Sequence, residues 1–104
     1  MNNKVEKYVK DGQVAILYSP GYGGGWSTWG EPEMAWDKRL VDAFLAGGTK
    51  QVEQVATQLY PDDYLGGVDD LAMEWVTQGE QFEIEEYDGS ESVRIIGPSS
   101  FYTA

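Results

Sequence analysis

The residues most able to build a binding surface are concentrated at positions 18–30, Tyr-Ser-Pro-Gly-Tyr-Gly-Gly-Gly-Trp-Ser-Thr-Trp-Gly, where five glycines stand beside Tyr22, Trp26 and Trp29. Glycine opens backbone conformations closed to other residues and lets a ligand or a second backbone approach closely. Successive amides in Gly23-Gly24-Gly25 can form an anion-binding concavity, and the flanking rings can stack on bases. Ser19, Ser27 and Thr28 add hydroxyls, with no base in the sequence to activate them. No established phosphate motif accompanies the loop, and the nearest following cation is Lys38. Three readings stand at this point: Trp26 and Trp29 close on a sheet as a lid, the loop binds a small molecule, or its aromatic residues anchor a protein partner.

A second candidate lies around Asp88-Gly89. A two-residue turn there makes the numbers of facing residues sum to 177, pairing Ile84 with Val93, Phe82 with Ile95 and Glu83 with Arg94. The same register sets Glu86 opposite Glu91, a like-charge pair that costs stability, and local conflicts of this kind mark places where function is expected. Either both carboxylates splay into solvent at the tip, or Glu86, Asp88 and Glu91 accept hydrogen bonds from a ligand, or they hold a cation weakly. No acidic spacing matches a calcium-binding EF-hand loop, so no metal is expected. If the pair is only frustrated structure, Glu91→Gln is expected to raise stability.

The 104 residues include neither histidine nor cysteine. That removes imidazole as general base, thiolate nucleophiles, zinc-finger ligand sets and disulfides, and the chain is expected to be neither an enzyme nor dependent on a cofactor. The formal charge is −11, and between residues 51 and 93 there are twelve acidic side chains and no lysine or arginine. Direct binding to a nucleic-acid backbone is therefore disfavoured. The first residues hold no apolar core of signal-peptide length, and no stretch approaches the roughly 20 apolar residues of a membrane span. A soluble, intracellular protein without membrane contact is expected.

The Asp11-Gly12 turn predicts a hairpin between segments 4–10 and 14–18, with Val9 facing Val14 and the second strand apolar on both faces. Segment 34–46 places Trp36, Leu40, Val41, Phe44 and Leu45 at helical spacing, with Trp36 expected in the core. Gly47-Gly48 reads as a stop, and Thr49 as the cap of a second helix carrying Val52, Val55, Ala56, Leu59 and Tyr60. Alternation over 71–76 and the Asp88-Gly89 hairpin supply three further strands. The expectation is one α+β domain over residues 1–104, with a mainly antiparallel β-sheet and a two-helix hairpin packed on one face, in the order ββααβββ.

The strand leading into the 18–29 motif resembles the hallmark of a small family of bacteriophage proteins. So do Tyr60-Pro61-Asp62-Asp63-Tyr64-Leu65-Gly66-Gly67, Glu74-Trp75-Val76, Glu86-Tyr87-Asp88-Gly89-Ser90-Glu91-Ser92 and the closing Thr103-Ala104. The similarity covers nearly everything after residue 12, although three successive glycines replace the alternation expected within the loop. The resemblance implies a viral accessory protein in the host cytoplasm that counters bacterial defence, by sequestering a nucleotide-like signal or by blocking a defence protein.

The expected site joins the 19–29 loop to the 86–91 hairpin tip. Tyr22, Trp26 and Trp29 would stack on a small nucleotide-like ligand, the glycine amides would take its phosphate, and Glu86 or Asp88 would accept from ribose or base. The competing expectation is an inhibitor of a bacterial host protein, anchored by the same loop and steered by the acidic face. A symmetric homodimer is also expected, from the aromatic content and the sheet edges that need cover.

Overall fold

In the computed structural model, which describes residues 5–95 and 102–104, both turn signals fold as hairpins. Strand β1 (Val9–Lys10) pairs with β2 (Gln13–Tyr18) so that Val9 faces Val14. Residue 4 of the expected first strand lies outside the described residues. Strands β4 (Gln81–Tyr87) and β5 (Ser90–Ile95) pair Phe82 with Ile95, Glu83 with Arg94, Ile84 with Val93 and Glu86 with Glu91. Asp88 and Gly89 both take positive φ, 49° and 83°, as the twist-matched two-residue turn requires.

The strands form two small antiparallel sheets. In the first, β2 lies between β1 and β3 (Ala72–Thr77); in the second, β4 lies between β5 and β6 (Tyr102–Thr103). Val14, Ala15, Ile16 and Leu17 are all fully buried, because β2 is sandwiched. Ala15 and Leu17 face the helix and Trp26, while Val14 and Ile16 face Phe82 and Ala104 on the side of the second sheet. Trp36 is half-buried against the rings of Phe82 and Tyr102, with centroids 6.1 and 5.0 Å away.

One helix, α1 (Lys38–Leu59), replaces the expected two-helix hairpin. It begins four residues later than the apolar spacing implies, because Asp37 accepts the Arg39 amide as N-cap while Pro32–Ala35 form a short 3-10 turn. Gly47-Gly48 does not stop it, and Thr49 lies inside it rather than at a cap. Gly48 alone leaves helical geometry, at φ 75° and ψ −159°, and marks a kink between two helical segments of α1. The bend is sharp. A straight helix of 22 residues would span about 33 Å, yet the Tyr60 hydroxyl at the C-cap donates to Asp37 at the N-cap over 2.7 Å. The apolar stripe serves as the spacing predicts: Leu40, Val41, Val52 and Ala56 are buried, with Phe44, Val55 and Leu59 packed against them. Leu45 is the exception, half exposed.

Candidate functional site

After β2 the chain turns back across the start of β5, and backbone bonds fasten the two together. The Glu91 amide donates to Ser19 O (2.7 Å), the Gly23 amide to Asp88 O (2.6 Å) and the Gly25 amide to Gly89 O (2.8 Å). Ser90 Oγ donates to Pro20 O at 2.7 Å. A side chain at Gly89 would not fit this junction: its Cβ would lie 2.7 Å from the Gly24 nitrogen and 2.8 Å from the Gly23 carbonyl carbon. The glycine loop and the hairpin tip, far apart in sequence, thus meet backbone to backbone.

Glu91 organises the loop. Its side chain leaves β5 on the inner face and is only 2 % exposed. Oε1 accepts the Ser19 amide (3.0 Å), and Oε2 accepts the Trp26 amide (2.7 Å), the Thr28 amide (3.1 Å) and the Thr28 hydroxyl. An unpaired carboxylate at this depth would be strongly unfavourable, and four hydrogen bonds, three of them from backbone N–H groups, offset that cost. The amides that hold this carboxylate are those of Ser19, Trp26 and Thr28, not the Gly23-Gly24-Gly25 run expected to take an anion, of which Gly23 and Gly25 donate to the hairpin tip instead. Glu86, the facing residue, accepts the Gly89 amide at 2.8 Å and closes the tip. Each carboxylate has its own donors, which replaces the picture of a frustrated pair.

The loop's remaining side chains divide into an inner and an outer set. Trp26 is fully buried and donates its Nε1–H to Met34 O at 3.0 Å, so it belongs to the core. Ser27 is buried. Ser19 is fully buried, and its Oγ has no hydrogen-bond partner among the described residues. Thr28 is exposed as a residue but anchored through Glu91. Facing outward are Tyr22, 77 % exposed and edge-on to Tyr87 (centroids 6.4 Å), and Trp29, 44 % exposed and lying against Tyr64 (6.0 Å, planes 31° apart). Asp88 is exposed at the tip, where its carbonyl takes the Gly23 amide. The structure thus brings residues 19–29 and 86–91 together, but turns Ser19, Trp26, Ser27 and Glu91 inward.

Tyr64 and Tyr87 were missed as partners of the loop. Tyr87 had a readable signal, since the hairpin register puts it on the face opposite Phe82 and Ile84. Tyr64 had none, because its position follows from where residues 61–67 return after α1.

A second buried charge lies away from the loop. Asp37 is fully buried and accepts from Arg39 Nε (3.0 Å), Arg39 Nη2 (2.7 Å), the Arg39 amide (3.0 Å) and the Tyr60 hydroxyl. Burial by itself pushes its carboxyl up, but the hydrogen bonds from Arg39 and Tyr60 outweigh that and hold it below the ordinary aspartate range. Burial, with the Asp37 carboxylate as acceptor, raises the Tyr60 phenol well above its usual value. This cluster ties the two ends of α1 together. Among the described residues no set of carboxylates is placed to hold a metal ion, and no helix is long and apolar enough to cross a membrane.

Compared with known protein families, with curated proteins and with solved structures, the chain shows no match.

Proposed function

We propose that this chain is a binding protein without a catalytic role, and that it docks a protein partner on the aromatic residues presented by the glycine loop. One observation carries the reading. The Ser19, Trp26 and Thr28 amides are engaged by Glu91, and the Gly23 and Gly25 amides by the hairpin tip, while the Trp29–Tyr64 pair stands at the surface. A loop bonded at so many points is a fixed platform, and exposed tryptophan and tyrosine held rigidly are effective anchors at protein interfaces. A nucleotide-like signal, the other expectation, would need donors for its phosphate. Of the three glycine amides expected to supply them, those of Gly23 and Gly25 already have partners, and the chain carries a formal charge of −11.

In the setting that the bacteriophage resemblance implies, the partner is a host defence protein in the bacterial cytoplasm and the effect is its inhibition. The test is recovery of a partner from bacterial lysate by immobilised protein. The Trp29→Ala/Tyr64→Ala double variant, unchanged in unfolding midpoint, is expected to recover none. Equal recovery by wild type and variant would reject the platform. Tryptophan fluorescence titrated with cyclic dinucleotides and cyclic ADP-ribose isomers tests the small-ligand reading, and a saturable response would reinstate it.

A further inference from the structure

The β4–β5 hairpin has an outer face that the platform does not use. Its register puts Glu83, Glu85 and Tyr87 on one strand and Ser90, Ser92 and Arg94 on the other, opposite in direction to the core residues Phe82, Ile84 and Val93. Tyr22 reaches this face from the glycine loop and meets Tyr87 edge-on. Between them lies a depression of about 470 Å3, lined by Tyr22, Glu83, Glu85, Tyr87 and Ser92. Glu83 and Glu85 converge on one point: Arg94 Nη1 sits 2.6 Å from Glu85 Oε2 and 3.3 Å from Glu83 Oε2. The chain's own guanidinium therefore shows what these two carboxylates are spaced to receive. Two negative charges against one positive leave an excess of negative charge, in a part of the chain that has no other lysine or arginine from residue 51 to residue 93.

We propose that this groove takes an arginine side chain from a basic segment of a protein partner, an assignment that rests on the protein-partner reading above. Guanidinium suits the site on two counts. It bonds carboxylates through a planar fork, and it is attracted to tyrosine faces, of which two are held here at the mouth. Arg94 is paired with the same oxygens and would compete for them with an incoming guanidinium.

The probe is a blocked (Arg-Gly)4 peptide, followed by backbone amide shifts and calorimetry on the intact chain. Shifts are expected to concentrate at Tyr22 and at residues 83–92, and Tyr22→Ala/Tyr87→Ala is expected to weaken binding at least tenfold without moving the unfolding midpoint. The decisive comparison is Arg94→Gln against Lys50→Gln, which change the net charge equally, Lys50 being an exposed residue on α1. Arg94→Gln is expected to tighten binding at least threefold more than Lys50→Gln. Equal effects, or shifts spread along the acidic surface, would reduce the groove to general electrostatics and overturn it. Spermidine binding the same residues as tightly as the peptide would overturn the protein segment as occupant. Partner capture in the absence of any peptide binding removes the groove and leaves the platform standing. Peptide binding confined to the groove, with no partner captured, does the reverse.

Discussion

The Tyr60 hydroxyl and the Asp37 carboxylate belong to the cap residues at opposite ends of α1, yet lie 2.7 Å apart. That contact requires the helix to fold back on itself, and Gly48 is where it does so. At φ 75° and ψ −159° the backbone is in a region that essentially only glycine enters, although a Cβ there would meet open space. Gly48→Ala is therefore expected to destabilise the protein by about 1–3 kcal/mol through backbone strain alone. Chemical denaturation measures it, and an unchanged midpoint would contradict the fold-back.

The same contact predicts a pH dependence with a definite sign. Asp37 titrates lower when folded than when unfolded, so its contribution is fully present above the unfolded value and is lost as pH falls through the folded one. Stability is expected to decline from about pH 5 downward, with part of that slope missing in Asp37→Asn. Asp37→Asn should also cost about 1–2 kcal/mol at neutral pH through the weakened cap and ion pair. Tyr60 is raised, so its contribution is present below about pH 10 and lost as pH rises further. Tyr60→Phe should remove that alkaline slope. Urea midpoints across the pH range read both.

Glu91→Gln is expected to lower stability by about 1–3 kcal/mol, the opposite of what a frustrated Glu86–Glu91 pair predicts. A glutamine amide keeps one acceptor oxygen, and its NH2 group must then face a backbone N–H that now donates to the carboxylate. Glu91→Ala should cost more, because the Ser19, Trp26 and Thr28 amides all lose their partner. A stabilised Glu91→Gln protein would show that the loop is not held this way.

Gly89→Ala tests the backbone junction. The substitution combines a positive φ of 83° with contacts of 2.7 Å to Gly24 N and 2.8 Å to Gly23 C, which the loop can relieve only by moving off the hairpin tip. The expected loss is at least about 2 kcal/mol. Release of the loop should also expose Trp26 and shift its fluorescence to longer wavelength. Loss of stability with an unshifted spectrum would mean that strain is absorbed in the turn.

Much of the fold was legible locally. Asp11-Gly12 and Asp88-Gly89 each specify a two-residue turn, and alternation of apolar residues leaves one register for each hairpin, so Val9–Val14 and Ile84–Val93 follow from short-range chemistry. The two-sided apolar run of β2 announced its sandwiched position, and the helical stripe from Leu40 to Leu59 announced its buried face. The charge balance and the missing histidine and cysteine bounded the chemistry without reference to any fold.

The meeting of the glycine loop with the hairpin tip was legible, but the roles of their residues were not, and Tyr64 gave no signal at all. Glu91 reads as a misplaced charge because its acceptors' partners, Ser19, Trp26 and Thr28, lie 63 to 72 residues away, and no periodicity links them. Only the packed chain decides that Trp26 is core while Trp29 is surface, that the strands divide between two sheets, and that α1 folds back on itself at Gly48. Turns and alternation are written in neighbouring residues. The partners of a buried carboxylate are set by whichever distant amides folding brings beside it, and so are decided by the tertiary structure alone.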